Sequence, residues 1–317
     1  MREAVFSSSG TGFQIRAAQG QAADHLASTG HRLAGFAERA AASLFFTFFP
    51  ADCRICGFPL LQVSCLPVCD SCITALRPLP GSYCPVCGQT SPPVSLTRRE
   101  GEDVDPRCLL CQRVDPPFER AVAYGSYEAG LRDLIHLLKF HQVRPAAKVL
   151  GRLLAETIAS LETAMPVGTI GVVPVPLHKT RKAQRGFNQA EMTARHALRQ
   201  LARPKRFELC TGVLLRTRDT SSQIGLTSHE RRENLRGAFS VNDPTRILNR
   251  DILLVDDVYT TGTTASECAR ILLHAGAARV WVATVARTLK LSNVIELAEK
   301  DFLVPDCQPS AGVLTEN

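Results

Sequence analysis

Residues 251–264 place acidic and hydroxyl-bearing side chains in an order that suits binding of a phosphorylated sugar. Two carboxylates, Asp256 and Asp257, directly follow an apolar run, and small polar residues around Gly262 come next. Hydroxyl and backbone N–H groups where a loop opens a helix favour a phosphate. The two carboxylates accept hydrogen bonds from a sugar diol or lie close to a bound Mg²⁺. The segment therefore predicts a site for a sugar and its phosphate.

The residues on either side of this loop predict the elements that position it. The apolar run Ile252–Val255 is typical of a buried parallel strand. After the loop, apolar residues recur at helical spacing and Gly276 closes the pattern at the C′ position. The apolar face of this helix consists of Ala265, Cys268, Ile271, Leu272 and Ala275. A strand, loop and helix with a merely solvated acidic pair is the alternative interpretation.

The same segment resembles the ribose-phosphate-binding loop of the type I phosphoribosyltransferases. The resemblance implies that Asp256 and Asp257 hold the ribose hydroxyls of phosphoribosyl pyrophosphate (PRPP), with Mg²⁺ on the pyrophosphate. It implies that the residues after them cradle the 5-phosphate: Thr260, Thr261, Gly262, Thr263 and Thr264. Tyr259 departs from the family pattern, which prefers an aliphatic residue at that position.

A second apolar strand, Ile170–Val175, is followed by a basic segment that we expect to be a flexible loop. Ligands of open α/β folds bind at the carboxyl ends of such strands. By the resemblance, this segment is the pyrophosphate loop, with Lys179, Arg181, Lys182, Arg185, Gly186 and Asn188 as candidate contacts. A solvated charged loop is the alternative. Residues 216–226 have the polar composition of a lid that closes over PRPP.

The positive charge of the chain is concentrated around this segment. Residues 171–240 contain 14 Lys and Arg against 5 Asp and Glu, a balance of +9, whereas the whole chain carries +7. Such a region suits a highly charged phosphoribosyl donor, a nucleic-acid backbone, or both. Composition alone does not separate these ligands.

Nine of the 12 cysteines fall between residues 53 and 111, and eight of them form four Cys-x-x-Cys pairs. Two such pairs supply the four thiolates of a closed tetrahedral zinc site. Pairing in sequence order predicts one structural zinc ion at Cys53, Cys56, Cys69 and Cys72, and a second at Cys84, Cys87, Cys108 and Cys111. Gly57 and Gly88 follow the second thiolate of their pairs, where a tight turn is needed.

Disulfides or a redox Cys-x-x-Cys are the alternatives to zinc. We favour zinc because four such pairs in sixty residues argue for metal, and because a phosphoribosyl-binding protein without a visible signal peptide belongs in a reducing cytoplasm. Cys65 belongs to none of the four pairs. If it replaced Cys69 at the first site, it would break the two-residue spacing of the Cys-x-x-Cys pair, which we call a knuckle. Cys268, on the apolar helix face, is interpreted as a core residue.

The combination of a double zinc ribbon and a phosphoribosyltransferase-like domain resembles the ComF family. Four further segments carry the resemblance, which extends over about residues 44–290: FFPADCRICG, YGSYEAGLRDLIHLLKFHQ, VPVPLHKTRKAQRGFNQA and RTRDTSSQIGLTSHERRENLRGAF. It implies an association with competence, the uptake of transforming DNA as a single strand. Single-stranded DNA and competence proteins are therefore expected partners, and a homodimer is left open.

We accordingly predict an α/β chain whose core is a type I phosphoribosyltransferase-like open parallel sheet with helices on both faces, preceded by a small double zinc-ribbon domain. The predicted divisions are an unassigned extension at 1–43, the ribbon at 44–115, the sheet domain at 118–290 and a tail at 291–317. We expect the ribbon to need its metal while residues 118–290 fold without it. No apolar stretch reaches the roughly 18 residues of a membrane span, and the expected location is cytoplasmic.

Two functions remain open at the level of sequence. The first is a phosphoribosyltransferase with an unknown acceptor. In the 6-oxopurine branch an acidic residue of the phosphate loop is the general base, and Thr260 occupies that position, which argues against purine salvage. The chain begins Met-Arg-Glu-Ala, so we do not expect the N-terminal cysteine nucleophile of a glutamine amidotransferase. The second function is a non-catalytic factor for single-stranded DNA that uses the PRPP site only to bind a ligand.

Overall fold

The structure is a computed structural model that describes residues 51–60, 64–81, 83–89, 105–219 and 228–289. The predicted extension at 1–43, the tail at 291–317, Cys307 and the lid residues 220–226 lie outside these ranges. The chain divides into two compact units, Met1–Cys69 and Asp70–Asn317. The domain boundaries proposed after residues 43, 115 and 290 stay predictions.

The first unit contains a short antiparallel hairpin of β1 (Ala51–Asp52) and β2 (Pro59–Leu60). Its turn carries Cys53 and Cys56 and ends at Gly57, whose φ of 73° only glycine adopts readily. The hairpin thus presents the first Cys-x-x-Cys pair at a tight turn, as the sequence predicts.

The second unit is built on a five-stranded sheet of β3 (Arg120–Ser126), β4 (Ile170–Pro174), β5 (Phe207–Leu209), β8 (Asp251–Tyr259) and β9 (Arg279–Arg287). The strand order is β3-β9-β8-β4-β5 and every pair is parallel. A separate antiparallel pair consists of β6 (Leu214–Arg216) and β7 (Phe239–Val241). The predicted open parallel sheet is confirmed.

The helices of the second unit begin with two short ones, α1 (Asp70–Thr74) and α2 (Leu109–Arg113). The others follow in the order α3 (Ala129–Phe140), α4 (Ala146–Leu161), α5 (Lys179–Arg185), α6 (Gln189–Leu198), α7 (Ser228–Leu235) and α8 (Thr263–His274). Two single 3₁₀ turns lie at Pro204–Arg206 and Pro244–Arg246. In the described part of the chain, no helix has both the length and the apolar character that a membrane crossing requires.

Helices cover both faces of the sheet because alternate residues of its strands point to opposite sides. Ile252 and Leu254 of β8 pack with Cys268 and Leu272 of α8 in one buried cluster. The intervening side chains face the other side, where α4 and α6 pack against each other and the sheet. The helix axes of α4 and α6 approach closely at Gly151, where a Cβ would lie 2.5 Å from that of His196. The predicted helices on both faces are confirmed.

The strand that leads to the acidic pair is longer than the predicted Ile252–Val255. Strand β8 continues its parallel pairing through Asp256 and Val258 to Tyr259, which is in register with Arg287 of β9. The carboxylates therefore project from a strand that is still paired with β9, just beyond the point where its pairing with β4 ends at Val255. This fixes their positions relative to the end of β4, the neighbouring strand.

Candidate functional site

The phosphate loop predicted at residues 260–264 lies between the end of β8 and the first turn of α8. Gly262 precedes the helix with a left-handed φ of 76°. The hydroxyl oxygens of Thr261 and Thr263 lie 2.8 Å apart, so they share a hydrogen bond across this turn. The first N–H groups of a helix have no intrahelical acceptor, and their partial positive charge favours an anion. The loop therefore has the donors that a phosphate needs.

The acidic pair lies at the same edge of the sheet, and its two members differ in environment. Asp257 is 6% exposed, and one of its carboxylate oxygens lies 2.8 Å from the Lys139 ammonium nitrogen. The Asp256 carboxylate accepts a hydrogen bond from the Asp257 N–H at 2.8 Å. Burial, and next the charge of Asp257, raises the pKa of Asp256 to about 7. One carboxylate is thus held as an ion pair, while the other is close to half-ionised at neutral pH.

A cleft of about 710 Å³ opens above the pair. Four basic side chains surround two carboxylates in it, which leaves an excess of positive charge for an anionic ligand. Residues from α3, α5, α8, β6 and β8 and from the adjoining loops line the cleft: Tyr127, His136, Lys139, Phe140, Gln142, Arg181, Gln184, Arg185, Arg216, Asp256, Asp257, Val258, Thr260 and Thr264.

The basic segment after β4 is a helix and not the flexible loop that we expected. His178 begins α5 by accepting a hydrogen bond from the Thr180 N–H through its ring nitrogen at 3.4 Å, and Gly186 ends the helix with a φ of 75°. The helical repeat divides the predicted contacts, because Arg181 and Arg185, four residues apart, line the cleft. Lys179 and Lys182 are exposed and lie outside the lining.

Asn188, another of the predicted contacts, has structural partners in this conformation. Its carboxamide oxygen accepts from the Ala190 N–H at 3.0 Å and so begins α6. Its carboxamide nitrogen donates to the Val175 carbonyl oxygen at 3.0 Å, just beyond β4. The side chain thereby fixes the segment that leads out of the sheet. Gly186 and Asn188 are not among the residues that line the cleft.

Arg185 and Arg216 are partly desolvated, which strengthens their attraction for an anion. Burial lowers the pKa of both guanidinium groups from its ordinary value, although both stay charged at neutral pH. The Arg185 guanidinium lies 5.3 Å from the centre of the Phe140 ring and donates to the Gln189 side-chain oxygen at 3.0 Å. These contacts hold the guanidinium in place before any ligand arrives.

Our sequence interpretation missed the contribution of α3. Lys139 reaches the acidic pair, and the Tyr127 hydroxyl lies 2.9 Å from a ring nitrogen of His136 at the cleft wall. Burial lowers the pKa of His136, which keeps this ring neutral near pH 7. The only sequence signal was the ComF-like segment 124–142, in which Lys139 follows a run of core residues at helical spacing.

The two cysteine clusters form as predicted from the spacing. The sulfurs of Cys53, Cys56, Cys69 and Cys72 all lie within 4.8 Å of one another, as do those of Cys84, Cys87, Cys108 and Cys111. A tetrahedral zinc with Zn–S bonds of about 2.3 Å has sulfurs about 3.8 Å apart. The Cys56–Cys69 and Cys87–Cys108 sulfur distances of 3.7 and 3.6 Å fit that value. Cys65 is exposed and lies outside both clusters.

The two clusters repeat the same backbone hydrogen bonds. The N–H of the third cysteine donates to the sulfur of the first at 3.3 Å, from Cys69 to Cys53 and from Cys108 to Cys84. Burial acts to raise the pKa of the first thiol, but N–H donors outweigh it and lower the pKa of Cys53 to about 6 and of Cys84 to about 7. The first cysteine of each cluster therefore favours the thiolate that a metal binds, whereas burial raises the pKa of Cys87 to about 11 and also raises that of Cys111.

The second cluster shares a core with the sheet. Cys84, Cys87 and Cys111 are at most 5% exposed and belong to the same buried cluster as α8 and the core strands. The Ala121 N–H of β3 donates to the Val86 carbonyl oxygen, which ties the knuckle to the sheet. The expectation that residues 118–290 fold independently of the ribbon stays a prediction, and this packing argues against it.

Comparison with known proteins gives several relatives by sequence. The chain is 34% identical over 241 residues to the DNA utilization protein YhgH of Escherichia coli K12, covering 76% of this chain and 98% of that protein. It is 29% identical to competence protein F of Haemophilus influenzae, covering 77% and 98%, and 26% identical to competence protein ComFC of Bacillus subtilis, covering 67% and 80%. No family model matches the chain.

Among solved structures, glutamine phosphoribosylpyrophosphate amidotransferase of B. subtilis aligns with a TM-score of 0.26 and 23% identity. The alignment covers 45% of this chain and 26% of that one.

The packing of the second cluster generates a test of metal dependence. We expect Cys111→Ser to lower the free energy of unfolding of the sheet by more than about 3 kcal/mol, since it removes a ligand from a cluster inside the core. Trp281, the single tryptophan and a buried residue of β9, reports on this core through its fluorescence during urea unfolding. Cys56→Ser, at an exposed ligand of the first cluster, is the matched control. Equal midpoints for Cys111→Ser and wild type would contradict the expectation.

Proposed function

Because this chain belongs to the ComF family, together with DNA utilization protein YhgH and competence protein F, we propose that it binds PRPP with Mg²⁺ and acts in the handling of incoming DNA. The observation that carries the proposal is the meeting of an acidic pair, the Thr260 and Thr264 hydroxyls and four basic side chains in one cleft, whereas Thr261 and Thr263 line a neighbouring pocket. Each part matches one part of PRPP in charge and hydrogen-bonding capacity.

The ligand is oriented by the order of these groups. Asp256 and Asp257 accept the ribose hydroxyls, and residues 260–264 receive the 5-phosphate through hydroxyl and N–H donors. Arg181 and Arg185 face the pyrophosphate, whose charge Mg²⁺ shares. Lys139 neutralises Asp257 before the ligand binds and contacts a ligand oxygen afterwards, so the buried carboxylate is never left without a partner.

The chemical outcome of binding is phosphoribosyl transfer to an acceptor that enters the cleft from solvent. Thr260, in the position of a general base in the 6-oxopurine branch, is partly buried and cannot act as one at neutral pH. The acceptor must therefore arrive already nucleophilic or be activated by another group. His136 is the neutral imidazole of this cleft.

The metal part of the proposal is one zinc ion in each cysteine cluster. Both sets of ligands are thiolate-only, both fit a tetrahedron, and neither leaves a position for substrate, which is typical of structural zinc. We expect metal analysis of protein purified without chelator to give close to two ions per chain.

A non-catalytic function in single-stranded DNA binding is the second candidate. The observation in its favour is that α5 turns two of its four basic residues, Lys179 and Lys182, to solvent, away from the cleft. Exposed lysines beside a phosphate-binding cleft suit the backbone of a nucleic acid.

The acidic pair provides the most direct test of PRPP binding. Replacing Asp256 and Asp257 together by Ala removes acceptors for two ribose hydroxyls, each bond being worth about 1.5–3 kcal/mol. We expect a loss of affinity of about two orders of magnitude or more by calorimetry with Mg²⁺ and PRPP. Asp243→Ala, at a partly exposed acid that begins a 3₁₀ turn and does not line the cleft, is the control. Equal binding by the double variant and wild type would refute the assignment of the loop.

The raised pKa of Asp256 predicts how binding depends on pH. The ionised carboxylate is the better acceptor for ribose hydroxyls, so binding releases a proton at pH 7 and affinity falls by about tenfold between pH 8 and pH 6. The stability of the ligand-free protein changes with pH in the opposite direction. Because the pKa of Asp256 is higher in the folded than in the unfolded state, stability falls as the pH rises and Asp256 ionises. Calorimetry in buffers of different ionisation enthalpy counts the released protons, and Asp256→Asn should abolish this contribution. An unchanged proton count in that variant would show that another group titrates.

The two faces of α5 separate the two candidate functions. Replacing Lys179 and Lys182 by Ala should flatten the salt dependence of single-stranded DNA binding by about 1.4 in slope, at about 0.7 per phosphate contact, and leave PRPP affinity unchanged. Replacing Arg181 and Arg185 should instead weaken PRPP. Lys148→Ala with Lys205→Ala removes two exposed lysines elsewhere and is the charge-matched control. DNA binding that is absent in wild type or independent of salt would exclude the DNA-binding function.

A further inference from the structure

Arg287, the last residue of β9, connects the second cysteine cluster to the interior of the sheet. Its side chain is buried, at 2% exposure. One terminal guanidinium nitrogen donates to the Cys87 carbonyl oxygen at 2.6 Å, and the other donates to the side-chain oxygen of Gln89 at 2.7 Å. Both acceptors belong to the knuckle that presents Cys84 and Cys87. The position of this guanidinium therefore depends on the shape of the knuckle.

The knuckle turn is in close contact with this arginine. Gly88 has a φ of 68°, and a Cβ at that position would lie 2.6 Å from the Ala121 carbonyl oxygen and 3.1 Å from a terminal nitrogen of Arg287. The Gly88 N–H donates to the Cys84 carbonyl oxygen, which closes the turn around the sulfurs. Any change in the cluster that opens this turn displaces the acceptors of a buried charge, which is costly.

The same guanidinium lies against the residue that precedes the phosphate loop. Its central carbon is 5.1 Å from the centre of the Tyr259 ring, and the two residues are directly opposite each other on neighbouring strands. The Thr288 N–H also donates to the Tyr259 carbonyl oxygen. Tyr259 is 9% exposed, so the ring is enclosed between the arginine and the loop.

The phosphate loop rests on the other end of the tyrosine ring. A Cβ at Gly262 would lie 2.6 Å from the ring carbon that carries the Tyr259 hydroxyl, so only glycine allows the loop to pass this close. The loop, Tyr259, Arg287 and the Cys87 knuckle therefore form one continuous stack. Tyr259 is also the residue at which the loop departs from the aliphatic pattern of the type I phosphoribosyltransferases. An aliphatic side chain would offer no ring face to the guanidinium.

We propose that Tyr259 and Arg287 are positioning residues that couple the second cysteine cluster to the phosphate loop. Metal at the cluster holds the knuckle, the knuckle holds Arg287, and Arg287 with Tyr259 holds Gly262 in the conformation that binds phosphate. The identity of the ligand rests on the proposed function, whereas the coupling between cluster and loop does not.

Coupling between two sites is reciprocal, which gives the inference a second observable. If metal strengthens PRPP binding, PRPP must strengthen metal binding by the same factor. We expect an equilibrium titration with a chelator to show one of the two metal ions bound about tenfold more tightly when PRPP is present, within the usual range of about 5- to 150-fold. The affinity of the first cluster for its ion should be unchanged.

The variants that test the stack keep the charge or alter only one acceptor. Arg287→Lys retains a cation but loses the two-pronged contact to Cys87 and Gln89. Gln89→Ala, at a partly exposed position, removes one of the two acceptors of Arg287. It provides the test if Arg287→Lys prevents folding. Arg279→Lys is the matched control, because Arg279 is also on β9, stacks on Trp281 at 5.6 Å and donates to Asp251, at the opposite end of the strand from the loop.

Hydrogen exchange of the amides of residues 260–265, followed by mass spectrometry, measures the loop without any ligand. We expect exchange about tenfold faster in Arg287→Lys and Gln89→Ala than in wild type, with PRPP affinity lower by a similar factor, and no change in Arg279→Lys. Exchange at the wild-type rate in both stack variants would overturn the coupling. PRPP binding that leaves the metal affinity of both clusters unchanged would also overturn the coupling. Failure of wild type to bind PRPP would refute the proposed function, while the exchange result would still decide the coupling.

Discussion

The parallel pairing of β8 with β4 on one side and β9 on the other is the constraint on which the site depends. Pro174 pairs with Val255, and Tyr259 pairs with Arg287, so the carboxyl ends of three strands meet at one edge. The chain leaves β4 for α6 on one face and β8 for α8 on the opposite face, which opens a cleft between them. Four core side chains of β8 are fully buried, and they hold this edge rigid. A rigid edge keeps the acidic pair and the helix start at a fixed separation.

The sequence predicted those parts of the site that are local in the chain. Asp256, Asp257 and the turn at Gly262 lie within seven residues, and the cysteine pairs present two sulfurs each through a single turn, so spacing alone specifies their geometry. Sequence spacing could not place Lys139 and Arg216 in the site. They lie on α3 and β6, far from the acidic pair in the chain, and only the fold brings them close to it. We expected the segment after β4 to be a flexible loop because it is highly charged. We overlooked the helical spacing that places Arg181 in the cleft and Lys182 in solvent. The packing of the second cluster into the sheet core had no local signal.

The electrostatics of the cleft explain why an acidic pair can be held so close to the protein core. The buried Asp257 and the partly buried Asp256 repel each other, and the structure resolves this by pairing Asp257 with Lys139 and raising the pKa of Asp256. Arg181, Arg185 and Arg216 then supply the charge that attracts an anion without cancelling the acids directly. The ligand-free cleft is thus balanced for a molecule that carries both hydroxyl donors and phosphate oxygens. A purely anionic ligand would offer the Asp256 carboxylate no hydrogen-bond donor beyond the Asp257 N–H.

The surroundings of the second cluster also explain why cysteines are present in a chain whose ligand chemistry lies elsewhere. The strand β3 is at the edge of the sheet, and an exposed edge is a hazard unless other backbone covers it. The segment that carries Cys84 and Cys87 provides that cover. The Leu79 N–H donates to the Tyr124 carbonyl oxygen of β3, and the Ala121 N–H of β3 donates to the Val86 carbonyl oxygen. So short a segment has too little apolar surface to hold this position alone, and a metal bound by the four cysteines would supply the missing free energy. Covering the edge also brings Cys87 to the end of β9, where Arg287 needs acceptors. A metal bound there would therefore stabilise the sheet and, through the proposed coupling, support the predicted phosphate loop.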